Sequence, residues 1–207
     1  SRADLEALAA TLQDTPLDEA SFNADIDPVF PIDDYIDRMV WVSFTRNGDA
    51  VAQNFYAYNA PRDGHDFWYQ IPWDSDLCMG ANWRDRDAVV LPDVSLMLDG
   101  GNYYSRRLTM VPGIRARYVE RFRQVIDEVL SEPVVLRYIG LRAGRVRHDL
   151  GADQRRWQRN VAPDEAFDVI REFIAERPGI LRAALDDTFS DATDDASETE
   201  STADDVR

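Results

Sequence analysis

The sequence predicts an α+β, mostly helical fold in which one β-hairpin interrupts a series of helices. Apolar residues recur at three- and four-residue spacing in one segment after another, from Leu5, Leu8 and Leu12 to Ile180, Leu181 and Leu185. That period marks helices with a single apolar face. Only residues 54–59 and 67–71 form short aromatic runs with strand character. The chain's 207 residues are enough to bury one good-sized core.

Residues 3–13 form the first expected helix, broken by the stretch around Thr15, Pro16 and Leu17. Residues 25–31 carry two prolines and read as a turn-rich connection. A second helix is expected over 33–47, with Asp33 or a neighbour as cap and Tyr35, Met39, Val42 and Phe44 near one face. Asn47 and Gly48, which readily take positive φ, supply its stop. Asp49 follows on a loop, a common place for reactive groups held by a rigid scaffold.

The two aromatic runs come next. Their connection, 60–66, contains Pro61, Asp63 and Gly64, which suits a hairpin turn. Pro72 stops the second strand, and 73–80 is a loop. Residues 81–112 look irregular, with a turn at Asp99, Gly100 and Gly101. Pro112 opens a helix whose stripe is Ile114, Tyr118, Phe122, Val125 or Ile126, and Val129. Pro133 opens another that reaches Gly144, and a polar stretch surrounds Trp157. Pro163 starts a third, with Ala166, Phe167, Ile170, Phe173 and Ile174 on its buried face, and Pro178 a last one. Residues 1–189 are expected to form one lobe. Residues 190–207, acidic and rich in Ser and Thr with almost no apolar bulk, are expected to be a disordered tail or linker.

Composition narrows the function. The net charge is −16, and all 23 basic residues are arginine. Such acidity argues against a general nucleic-acid partner, because phosphate backbones are repelled. Without lysine the chain has no Schiff-base nucleophile, no Walker-type loop and no lysine-held phosphate. A salt-rich environment suits the acidity, and an arginine-favouring genome suits the missing lysine equally well. Cys78 is the lone cysteine, so no internal disulfide forms. No apolar run approaches the ~20 residues of a membrane span. The chain starts at Ser1 rather than Met, the expected look of a segment cut from a longer protein.

Acid and amide spacing supplies the chemistry. Kinase-type phosphoryl transfer needs an Asp for the attacking hydroxyl, an Asn a few residues on, and a second Asp on another loop to hold divalent cations. Asp49 and Asn54 have the Asp-x-x-x-x-Asn spacing. A hairpin follows, with Asp74 directly after it and Asp76 two positions later. These hard oxygens suit Mg²⁺ or Mn²⁺. Spacing alone fits a solvated acidic surface as well, in a chain this rich in Asp.

The residues themselves go further. Asn54, Phe55, Tyr56 and Tyr58, then Pro72, Trp73, Asp74, Asp76 and Gly80, closely resemble the signature of the spore coat protein H (CotH) kinase family. Its members carry an Asn-[Phe/Tyr]-Tyr-x-Tyr strand and a Pro-Trp-Asp-x-Asp-x-x-x-Gly loop. Asp153 near Trp157, and Phe173, Ile174, Arg177 and Leu181, resemble its C-terminal half. The resemblance covers roughly residues 3–188 and implies the C-terminal lobe of a diverged protein-kinase fold, using ATP and a divalent metal to phosphorylate serine. Carried over by position, Asp49 is the catalytic Asp, Asn54 and Asp74 hold metal and nucleotide, and Asp76 is an additional metal ligand. Implied partners are a protein with a Ser-rich segment and an N-terminal lobe of the same protein. That lobe would bring the nucleotide-binding lysine this chain lacks, so the chain alone is expected to bind ATP weakly or not at all. Spore coat, cell surface or secretion are the compartments the resemblance implies.

Other residues read more plainly. His65 and His148 are expected at the surface, and Cys78, with no His nearby, as a packing residue. Trp68, Trp73, Tyr56 and Tyr58 are expected in the core. Arg106, Arg107, Arg115 and Arg117 are candidates for phosphate or an acidic substrate. Two other functions remain open: a pseudokinase-like or structural interaction module, and a metal-assisted phosphohydrolase built on Asp49, Asp74 and Asp76.

Overall fold

The computed structural model describes residues 2–51, 53–60, 67–76, 78–80, 103–157 and 163–189. It is mostly helical with one two-stranded antiparallel sheet, which makes the fold α+β. The expected turn at Asp99, the hairpin turn with His65, and residues 190–207 lie outside the described residues.

Helix α1 spans Arg2–Asp14, and of its three leucines only Leu8 is fully buried. The stretch ahead of the 25–31 connection is structured, and of that connection only Asp25 and Ile26 join it. A short helical turn, α2 (Glu19–Ser21), is capped by the Asp18 carboxylate and runs into a π-helical turn, Phe22–Ile26. Phe22 and Ile26 are fully buried there, and apolar burial overrides the weak local helix signal.

Helix α3 (Ile32–Thr45) is the central element, with ten of its side chains buried. Its cap differs from expectation. Asp33 lies inside the first turn, and the Asp27 carboxylate accepts from the Ile32 N–H at 2.9 Å. Asp27 thus satisfies an N–H that helix geometry leaves orphaned. The stop also moves, from Asn47 to Arg46, whose φ of 56° is left-handed.

Strands β1 (Phe55–Asn59) and β2 (Trp68–Pro72) pair with Phe55 opposite Pro72 and Asn59 opposite Trp68. One face packs inward through Trp68, whose N–H donates to the Val29 carbonyl at 2.8 Å. The other face is uncovered. Tyr56, Tyr58 and Trp73 are exposed, which corrects the expectation that they sit in the core. A hairpin has two faces, and only one of them meets the helices.

A helix stands where the sequence looked irregular: α4 is Tyr103–Met110. Helix α5 (Pro112–Gln124) continues as a π-helical turn, Val125–Val129. The wider turn advances the register, so Val125 and Ile126 are buried and Val129 is exposed. Helix α6 (Glu132–Trp157) runs straight through Gly144 and the polar stretch. A helical glycine costs only ~1 kcal/mol relative to alanine, too little to end a helix packed along its partner.

Helix α7 (Pro163–Phe189) likewise continues through Pro178, so no separate last helix starts there. Phe173, Ile174, Leu181 and Leu185 on both sides of the proline are buried in one core, and that packing outweighs the lost N–H. Helix α5 is tied to α3 by Arg117–Asp33 and Arg121–Asp37 ion pairs at 2.7 and 2.6 Å. No described helix is long and apolar enough to cross a membrane.

Candidate functional site

The site begins where α3 ends. Left-handed Arg46 lets its own N–H and that of Asn47 turn back to α3 carbonyls, the Asn47 bond to Val42 measuring 3.0 Å. The carbonyls of Ser43 and Phe44 receive the guanidinium of Arg177 from α7, whose Nε lies 3.2 Å from each. Arg177 is fully buried and stacks beside Phe173, 5.5 Å from the ring centre. A cation at a helix C-terminus satisfies orphan carbonyls and complements the helix dipole.

Asp49 lies in a single 3₁₀ turn, Gly48–Ala50, and is exposed. Two buried side chains hold this turn. Asn47 accepts from the Ala50 N–H through Oδ1 at 3.3 Å, and Arg38 donates to the Ala50 carbonyl. Arg38 also stacks 4.5 Å above the Phe55 ring, and so joins the Asp49 turn to the start of β1. Burial pushes its guanidinium below the ordinary arginine range.

Asn54 and Asp74 face each other across the base of the hairpin. Both adopt left-handed backbone, with φ of 53° and 52°. The Trp73 N–H donates to the Asn54 carbonyl at 2.9 Å, and Asn54 Nδ2 donates to the Asp74 carbonyl at 3.5 Å. Asn tolerates this conformation better than most residues. Each therefore sits at a bend that ends the pairing.

The Asp74 and Asp76 side chains meet. Their hydrogen bond, followed by burial and the charges of Asp76 and Asp49, raises the Asp74 carboxyl above the ordinary carboxylate range. The loop that carries them is fixed from α3: Asn47 Nδ2 donates to Ser75 Oγ at 3.0 Å, and Met79 N–H to the Thr45 carbonyl at 2.7 Å. Cys78 donates to the Ser75 carbonyl at 3.0 Å, and burial raises its thiol. It serves packing, as expected.

The structure thus brings Asn54, Asp74 and Asp76 together and sets Asp49 close enough for its charge to act on Asp74. Among the described residues no three His, Cys, Asp or Glu side chains form a ready-made metal cage. Two crowded, exposed carboxyls beside the Asn54 amide nevertheless have the chemistry to suit a hard cation, whose charge would relieve their repulsion. Asp74 and Asp76, with Asn54, are the residues that would hold it.

Three positioning residues were missed in the sequence: Asn47, Arg38 and Arg177. Asn47 was read only as part of a helix stop, and Arg177 only as part of a resemblance. The candidate arginines are partly engaged elsewhere, Arg107 on the Thr15 carbonyl and Arg117 on Asp33. His148 is at the surface beside Asp149.

No curated protein matches this chain. The family described as CotH kinase protein matches residues 1–181, which takes in α1 to α6, the hairpin, the acidic loop and α7 as far as Leu181. With that match running over most of its length, the chain belongs to the CotH kinase protein family.

Proposed function

We propose that the chain is the acid-bearing, C-terminal lobe of a diverged kinase fold, transferring the γ-phosphoryl group of ATP to serine in a protein. One observation supports the reading: Asn54, Asp74 and Asp76 lie at a single hairpin base, and Asp49, on the turn after α3, is near enough for its charge to act on Asp74. Asp49 orients the serine hydroxyl and accepts its proton. The serine oxygen then bonds to the γ-phosphorus as the bond to the β–γ bridging oxygen breaks, leaving phosphoserine and ADP. Asn54 and Asp74, with Asp76 beside them, would hold a divalent cation, which would supply charge neutralisation for the phosphates.

The exposed Tyr56 and Trp73 rings, 5.4 Å apart and edge to face, flank Asn54 and Asp74 and offer an apolar surface for the nucleotide. With no lysine in the chain, the phosphate grip belongs to a further lobe of the protein or to arginine. Labelled ATP is the test, in the protein with that lobe. Transfer to serine is expected to vanish in Asp49→Ala and Asp74→Ala with folding retained, and full activity in both variants refutes the assignment. The same crowded carboxyls support a second reading, metal-assisted phosphoester hydrolysis. Phosphate release from simple esters without ATP would favour it.

A further inference from the structure

A two-stranded sheet has two outer edges, and this hairpin treats them differently. Trp73 N–H donates to the Asn54 carbonyl at 2.9 Å, and Ala60 N–H to the Phe67 carbonyl at 2.8 Å. Backbone direction alternates along an antiparallel ladder, so Tyr56 and Tyr58 also face β2. Phe55, Ala57 and Asn59 then turn their N–H and C=O groups away from it. On β2 the outward residues are Trp68, Gln70 and Pro72. That edge is blunted at both ends: the Val29 carbonyl takes the Trp68 N–H at 2.8 Å, and Pro72 has no N–H to offer.

The β1 edge is open. Among the described residues nothing bonds to the outward backbone groups of Phe55, Ala57 and Asn59. Three consecutive residues of the strand, Tyr56, Ala57 and Tyr58, are exposed, so both faces of β1 reach solvent. Its sequence, Phe-Tyr-Ala-Tyr-Asn, has neither the charge nor the proline with which proteins guard an edge. A row of unpaired donors and acceptors at strand spacing recognises the backbone of another extended chain.

The edge also leads to the acids. Asn54 directly precedes β1, and the Gln53 N–H donates to the Asp49 carbonyl at 3.1 Å, which folds Asp49 back toward the start of the strand. We propose that β1 takes up an extended segment of the protein substrate as a third strand, with the serine carried past Phe55 toward Asp49. The inference rests on the kinase reading for the serine, and on the edge alone for the strand. Antiparallel pairing is the more stable per residue, which puts the serine C-terminal to the paired segment. A serine two or three residues beyond Phe55 overhangs Asn54 and the Asp49 turn by about 7–10 Å. Every second side chain of the added strand lies beside the exposed Tyr56 and Tyr58 rings, so the segment is apolar at alternate positions. A second copy of the chain fits this edge less well. One five-residue strand pair falls well short of the roughly 1,200 Å² that a stable interface buries.

The test is an NMR titration of the whole chain with acetyl-Thr-Val-Thr-Val-Thr-Gly-Ser-Gly-amide and two methylated forms of it. One is N-methylated at both Val amides, the other at the three Thr amides, so only one of them loses the N–H groups aimed at β1. Hydrogen exchange at the Ala57 and Asn59 amides is expected to slow by roughly 10-fold or more at saturation, with Trp68 unchanged. One methylated form should bind at least roughly 5-fold more weakly than the other. Ala57→Pro removes an N–H that points away from β2, and should weaken the parent peptide by roughly 5-fold with the fold intact. Should that variant unfold, the methylated pair decides. Equal binding of the two methylated forms, no protection at Ala57 and Asn59, or a folded Ala57→Pro with undiminished binding overturns the proposal. So does protection without peptide that grows with protein concentration, which assigns the edge to a second copy. The titration needs no ATP. If the peptide docks but labelled phosphate never reaches serine, the kinase reading falls and the strand site stands. If both methylated forms are phosphorylated with equal KM, the strand site falls and the kinase reading stands.

Discussion

The side-chain amide of Asn47 donates to the hydroxyl of Ser75 at 3.0 Å while its oxygen accepts from Ala50, so one buried residue joins the Asp49 turn to the Asp74 loop. The two halves of the proposed site are held in register by this bridge rather than by the hairpin alone.

Asn47→Ala should therefore act on both halves at once. Loss of two buried hydrogen bonds is expected to cost about 1–3 kcal/mol by urea denaturation. In the active protein, kcat should fall by roughly 10-fold or more, because displacement of catalytic groups by ~1 Å is enough for such losses. Ser75→Ala removes only the outer bond and should do less. An Asn47→Ala protein with unchanged kcat would show that the bridge positions nothing.

Arg177 closes the C-terminus of α3 from a helix far along the chain. Arg177→Met keeps much of the apolar volume but strands the Ser43 and Phe44 carbonyls, and a loss of about 3 kcal/mol or more is expected. Arg177→Lys should recover only part, since a single ammonium cannot reproduce the planar fork. Equilibrium unfolding of the two variants checks the order.

Asp74 and Asp76 are expected to differ. Asp74 follows the hairpin directly and its backbone carbonyl meets the Asn54 amide, so Asp74→Asn should lower transfer by at least roughly 10²-fold, and Asp76→Asn by less. Initial rates across a Mg²⁺ series read both. Excess Mg²⁺ should recover part of the activity of Asp76→Asn and almost none of that of Asp74→Asn.

The Asp34 carboxyl is raised in the folded protein by burial and then by neighbouring Asp charges. A raised carboxyl binds its proton more tightly folded than unfolded. Its contribution therefore favours the folded state below the unfolded value near 3.9 and turns unfavourable as pH climbs through the folded one. Asp34→Asn should accordingly stabilise the protein at pH 7, by under ~1 kcal/mol after solvent screening. The gain should shrink as pH falls toward the carboxylate range. Thermal melts at pH 7 and pH 4 give the comparison, and a destabilising Asp34→Asn at pH 7 contradicts the sign.

The parts of the fold that were legible depend on near neighbours. The 54–59 and 67–71 runs became a hairpin because β propensity and turn residues act within a few positions. The acids after it were visible because Asp49, Asn54, Asp74 and Asp76 belong to one short stretch. Helix starts at Pro112 and Pro163 were marked by proline at the first turn. Pro178 and Gly144 carried the same kind of mark and misled, because α6 and α7 pack on each other and on the core strongly enough to run through both.

By itself the sequence determined the apolar period of the longer helices, the pairing of one hairpin, the order of the acids and the family to which the chain belongs. Only the tertiary structure decided that Asp27 caps α3, that Tyr56 and Trp73 face outward, and that Arg38, Asn47 and Arg177 hold the acidic groups in place. It also left Asp34 without the arginine that its neighbours received. The reason is range. Propensity and periodicity act over about one turn of chain, whereas a buried guanidinium or amide takes the carbonyl or hydroxyl that packing sets beside it. For Arg177 that partner lies 134 residues away.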